Sequence, residues 1–234
     1  MFENTFKRFT QACTDRGFTR RGKAFFRVLG DGVLQVLKFE YQPGFPGSHD
    51  LCTGLFSLYG ELMEQWFTSG GCIPRYEIVK LIGLHSTTIL HEKDGFVTFE
   101  EITPEQQLDI LIEKGFPWLD QITTQKLLVE AICEMDKHWN DDLKFAPWMA
   151  SGDYESAAKV IRAILAQHND ALESNLRWMQ GEQAKCYRER SAEEDALWQQ
   201  KLDMAERGDP NEIRAYLEKN YSENREYAKF CMKK

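Results

Sequence analysis

The spacing of apolar residues changes once along this chain, and that change bounds what it can fold into. From Lys23 to Glu100, short runs alternate apolar and polar residues and are separated by glycine or proline turns. From Thr103 onward, apolar residues recur every third or fourth position. Period two marks strands, and period 3.6 marks helices with one buried stripe. Strands segregated from helices point to α+β rather than to an alternating α/β sheet. The expected architecture is an N-terminal helix plus an antiparallel sheet of about five to six strands, followed by an all-helical C-terminal half. A soft shift in composition divides it into 1–145, a sheet with two covering helices, and 146–234, a region of helical hairpins packed on the first.

Local signals fill in that outline. Phe2, Phe6, Phe9 and Cys13 share one face of a helix over 2–16, and Gly17 sits where a C-terminal cap belongs. Gly30-Asp31-Gly32 separates two strand runs, Lys23–Leu29 and Val33–Tyr41. In the second run Leu37, Phe39 and Tyr41 alternate with Lys38 and Glu40, the pattern of a half-buried strand. Further strands are expected at Leu51–Tyr59, Tyr76–Leu84, His85–His91 and Phe96–Glu100, the last two as a hairpin around Lys93-Asp94-Gly95. Thr103-Pro104-Glu105-Gln106 predicts a capping box with proline at the first helical position. Leu108, Leu111 and Ile112 supply that helix's buried stripe, and Gly115 ends it. Helices are also expected at about 124–139, after Gly152, through the polar stretch 170–206, and after Gly208-Asp209-Pro210. The run Gly152–Ala157 is similar to the second-helix start of a tetratricopeptide repeat. Its looser echo at Gly208–Ile213 lies 56 residues on, the wrong interval for a repeat array, which leaves helical hairpins.

The N-terminal half also resembles a known family. Its Phe-rich first helix is followed by Gly17-Phe18-Thr19-Arg20-Arg21-Gly22, by Phe25-Phe26-Arg27, and by Val33-Leu34-Gln35-Val36-Leu37. Over residues 1–115 this resembles the bacterial Domain of Unknown Function 4304 family, in which a helix precedes a basic glycine turn, an aromatic-Arg strand and a Gln-bearing strand. Lys38-Phe39-Glu40 departs from the usual polar end of that strand. The resemblance implies a bacterial protein with a curved antiparallel sheet and no established reaction. Some members of the family look like cargo of toxin–immunity or defence neighbourhoods.

Charge narrows the partners. With 29 Lys+Arg against 37 Asp+Glu the chain carries −8, which disfavours a surface built for nucleic acid. Only residues 1–50 are net basic, at +3, whereas 51–150 sum to −9. The six cysteines show no CxxC pair, so neither a zinc knuckle nor a thioredoxin motif is present. Glu3 and the lack of an apolar core at the N-terminus argue against a signal peptide, and no apolar run is long enough to span a bilayer. A cytoplasmic protein with reduced thiols and no membrane contact is expected.

No cofactor or metal is implied by any motif. GxSxG, GxxxxGK[ST] and GxGxxG are absent. Ser48-His49-Asp50 are consecutive, which no nucleophile–base chain can use, so they belong to a turn. Glu134 and His138, with Asp141 and Asp142 behind them, make only a fragment of a metal site. His85 and His91 share a strand face but lie about 20 Å apart at strand rise, too far for one metal.

What remains is a set of surface features. Arg16, Arg20, Arg21, Lys23 and Arg27 interleave with Phe18, Phe25 and Phe26. Trp178 and Trp198 stand in very polar sequence, where an exposed aromatic often anchors a protein contact. The function expected first is a non-enzymatic interaction module, immunity or defence associated in its concrete form, holding a protein partner through Arg20, Arg21, Arg27, Trp178 and Trp198. One rival is an enzyme using His85, His91 and Glu100 in the concavity of the sheet. Another is a phosphate or nucleic-acid binder using the basic turn 16–27.

Overall fold

The computed structural model describes residues 2–41, 49–61, 76–77, 88–93, 96–101, 103–135 and 142–232. Helix α1 (Phe2–Asp15) buries Phe9 and Cys13 completely, as its apolar spacing requires. It ends in a Schellman motif: the Phe18 N–H reaches the Cys13 carbonyl at 3.0 Å and the Gly17 N–H reaches Thr14 at 3.0 Å. Gly17 takes the left-handed conformation, φ +79°, which this cap needs.

Strands β1 (Thr19–Arg21), β2 (Ala24–Leu29), β3 (Val33–Tyr41) and β4 (His49–Ser57) form one antiparallel sheet in sequence order. A two-residue strand β5 (Tyr76–Glu77) touches the far edge beside Cys52 and Thr53. The hairpin β6 (Thr88–Lys93) and β7 (Phe96–Glu101) pairs with itself and stands as a separate sheet. The α+β class holds, but the main sheet has four full strands and not five to six, because the second hairpin does not extend it. His49 and Asp50 open β4 opposite Tyr41 and Glu40 rather than forming a turn. Most of the expected strand Tyr76–Leu84 lies outside the described residues.

The sheet is covered on both faces, which the alternation did not indicate. Phe25, Val33, Leu37, Leu51 and Leu55 pack against Phe9, Leu108, Leu111, Phe116 and Leu128. Phe26, Leu34, Val36, Phe56 and Leu58 form a second apolar face, approached by Tyr221. β3 is therefore buried on both sides from Val33 to Leu37 rather than half-buried.

The capping box forms as expected. Thr103 Oγ1 accepts from the Gln106 N–H at 3.3 Å, and the Thr103 N–H donates to Gln106 Oε1 at 2.7 Å. Helix α2 (Pro104–Ile110) does not stop at Gly115. It passes through a π turn (Leu111–Gly115) into α3 (Phe116–Gln121), with the Phe116 N–H bonded to the Leu111 carbonyl. Gly115 keeps helical angles, φ −66° and ψ −48°, so it cannot act as a left-handed cap. Pro117 follows at once; it has no N–H to give the previous turn, and the widened turn accommodates it. Ile112, expected in the stripe, is turned outward and is 37% exposed.

Helix α4 (Gln125–Met135) buries Leu128, Val129, Ala131 and Ile132; Trp139 lies outside the described residues. A helix not anticipated, α5 (Asp142–Ser151), carries Pro147 inside it. The polar stretch 170–206 is not one helix. Helix α6 (Tyr154–Leu176) ends, residues 177–180 turn with Gly181 at φ +59°, and α7 (Gly181–Arg207) runs back along it. Gly208, at φ +61°, caps α7, and α8 (Pro210–Met232) follows. Phe145, Met149, Ala157, Ile161, Leu202 and Ile213 form the core of this helical half. None of the described helices is long and apolar enough to cross a membrane.

Candidate functional site

The basic turn is not a free cationic surface. Arg27 sits on the core side of β2 with Phe25 and is 7% exposed. Its Nη2 and Nε donate to Gln35 Oε1 at 2.7 and 3.2 Å. Its Nη1 donates to the Arg16 carbonyl at 2.9 Å and meets Asp120 Oδ1 at 2.7 Å. The guanidinium also stacks 4.4 Å over Phe18. Gln35, fully buried, passes the link on by donating to the Leu119 carbonyl at 2.7 Å. Arg27 is thus a structural anchor between sheet and α3 and not an outward binding residue; Gln35, its register partner, supplies the buried acceptor.

Arg16 shares Asp120 at 2.6 Å and lies 5.1 Å over Phe116. Arg20 is exposed, but folds 5.0 Å over Phe6 and donates to the Gly22 carbonyl at 2.8 Å. Arg21 and Lys23 remain at the surface. An open groove of about 360 Å³ lies between α1 and the π turn, over Ala12, Ile112 and Phe116. Both arginines that line it are already bonded: Arg8 meets Glu105 and Asp109 at 2.8 Å each, and Arg16 meets Asp120.

The two tryptophans separate. Trp198 packs with the α5–α8 core, and Lys201 Nζ lies 4.0 Å from its ring. It is a packing residue, partly buried against this core two turns before buried Ala205 on the same helix. Trp178 lies in the turn between α6 and α7 and is 87% exposed. Near the chain's core this hairpin is apolar, with Ile161 and Ile164 facing Leu202 and Ala205. Toward the turn its contacts are polar: His168 Nδ1 to Asp195 Oδ1 at 3.1 Å, and Asn175 Nδ2 donating to the Tyr187 hydroxyl at 2.7 Å.

Among the described residues, two of the three residues of the enzyme reading, His91 and Glu100, are diagonal neighbours on one face of the β6–β7 hairpin. His85 lies outside the described residues. The hairpin register pairs His91 with Thr98 and Ile89 with Glu100. Glu134 is exposed, and His138 and Asp141 lie outside the described residues. No group of three His, Cys, Asp or Glu among the described residues could hold a metal.

Sequence reasoning missed a polar cluster at one end of the sheet. Asp31 in the β2–β3 turn accepts from the Tyr59 hydroxyl at 3.0 Å, and Tyr59 stacks on Tyr221, centroids 5.0 Å apart. Glu61 accepts from Lys201 at 2.6 Å and from the Tyr216 hydroxyl at 3.0 Å. Asn220 and Asn224, both 6% exposed, donate to the carbonyls of Tyr59, Leu58 and Gly60 at 3.1, 2.9 and 2.5 Å. Burial and the neighbouring carboxylates push the Tyr59 hydroxyl up to about 12 and raise Tyr216 as well. The signal was Tyr216, Asn220 and Asn224 at four-residue spacing on one helix, polar groups on a face that should bury something. The cluster binds α8 and α7 to the end of β4.

Comparison with family models, with curated proteins and with solved structures finds no match to this chain.

Proposed function

We propose that this α+β chain is a non-enzymatic protein-interaction module whose contact element is the α6–α7 hairpin. One observation carries the reading: Trp178, 87% exposed, at the turn of a helical hairpin. A large aromatic held in water gives up apolar area that folding would otherwise bury, and such residues are the usual anchors of protein contacts. The paired charges of the basic turn support a smaller role there, with Arg21, and Arg20 beside it, as a second surface. The motif Gly17–Arg27 supports reading residues 1–115 as related to the Domain of Unknown Function 4304 family, and an immunity or defence role accords with that relation.

The test is a pull-down from a lysate of the source cells with full-length protein, Trp178→Ala, and Arg20→Ala/Arg21→Ala. A stoichiometric protein retained at high salt and lost with Trp178→Ala supports the reading. No retained protein, or equal retention by all variants, overturns it.

A further inference from the structure

We infer that the turn of the α6–α7 hairpin recognises an acidic surface of a partner protein; this rests on the interaction reading above. Residues 174–190 carry four basic and two acidic groups, Arg177, Lys185, Arg188 and Arg190 against Glu182 and Glu189. The returning shaft, 191–206, carries five acidic groups and one basic. A basic end therefore caps an acidic shaft on an acidic chain. Lys185 is shared between Glu182 and Glu189 at 3.6 and 4.0 Å, and Arg190 meets Glu194 at 3.1 Å. Arg177 and Arg188 are exposed and make no ion pair among the described residues. Exposed Glu173, one turn before Arg177, offsets part of that charge, and the end that presents Trp178 keeps a small net positive charge.

Distance lets that charge act by itself. At about 1.5 Å per residue, Leu176 lies roughly 18 Å along α6 from Ile164, the last buried position of that helix. The screening length at physiological salt is about 8 Å, so an approaching partner meets the basic end before it meets the chain's net −8. A polyanion long enough to pass the turn would run onto the acidic shaft, which disfavours nucleic acid. A bounded acidic patch around an apolar pocket matches both the free arginines and the indole.

Full-length protein is titrated at physiological ionic strength with three probes: a short peptide of Glu and Asp around two Leu, the same peptide with Lys for each acid, and a short oligothymidylate. The acidic peptide should bind, and Trp178→Ala and the pair Arg177→Glu/Arg188→Glu should each weaken it by roughly tenfold or more. Lys159→Glu, near the base of the hairpin, should leave it unchanged. Failure of the acidic peptide, equal binding of the Lys peptide, or indifference to the variants overturns the inference. Preferential binding of the oligonucleotide overturns it in favour of a nucleic acid, and self-association lost with Trp178→Ala overturns it in favour of a second copy. If the pull-down partner depends on Trp178 while the acidic peptide fails, the interaction reading stands and only the partner chemistry is wrong.

Discussion

Arg27 and Gln35 face each other across β2 and β3, and one guanidinium gives two hydrogen bonds to one amide oxygen, at 2.7 and 3.2 Å. Gln35 then donates to Leu119 and Arg27 pairs with Asp120, so the pair fastens the end of α3 to the centre of the sheet. A buried guanidinium costs desolvation unless its donors are used, and here Nε, Nη1 and Nη2 all are.

Removing that anchor should be costly. Arg27→Ala strands Gln35 Oε1 and part of Asp120, and should lower stability by about 3 kcal/mol in urea unfolding. Asp120→Asn should lose only about 1 kcal/mol, because Asp120 is partly exposed and water replaces much of the pair. Equal losses for the two would contradict the burial of Arg27.

The tryptophans should divide in the same experiment. Trp178→Ala should shift stability by less than about 0.5 kcal/mol, as for an exposed site. Trp198→Ala removes a ring from the helical core and should lose about 2 kcal/mol. A large loss at Trp178 would place it in packing rather than in contact with a partner.

Two glycines should differ in what they tolerate. A methyl at Gly30 would collide with the Thr123 carbonyl, in a turn at φ +40° that rests on the α3–α4 connection. Gly30→Ala should therefore displace that turn and lose more than about 2 kcal/mol. Gly152, at φ +82° with open space around it, carries only backbone strain, and Gly152→Ala should lose about 1 kcal/mol.

Alkaline pH should loosen the polar cluster. Tyr59 titrates near 12 in the folded chain, above the ordinary value of 10. Between those values the folded state holds a proton that the unfolded state has released, so stability falls as pH rises from about 10 to 12. Tyr59→Phe should reduce the drop in melting temperature over that window; an unchanged drop would remove Tyr59 as its source.

The clamp should be separable from the helical core. Asn224→Ala removes both donations, to Leu58 and Gly60, and should lose about 1–2 kcal/mol. Hydrogen exchange should quicken around residues 57–60 while the α6–α7 base, built on Ile161 and Leu202, keeps its protection.

Elements with local causes were legible in the residues alone. The Schellman cap at Gly17 and the capping box at Thr103 follow from residue type and spacing within one turn. So do the glycine turn before β3, the cap at Gly208, and the division of strands from helices. Long-range packing set the features that local spacing cannot encode. Whether Arg27 points to water or to Gln35 depends on α3 arriving over the sheet, 84 residues further along the chain from Gln35. Whether a polar tryptophan is packed or exposed depends on where the hairpin turns: Trp198 falls beside Lys201 against the core, and Trp178 falls at the bend. The second apolar face of β3, with Leu34 and Val36, is buried because Tyr221 of α8 arrives over it from the far end of the chain, which no local pattern announces. Backbone preference acts over a few residues, whereas burial is set by whatever distant surface arrives to exclude water.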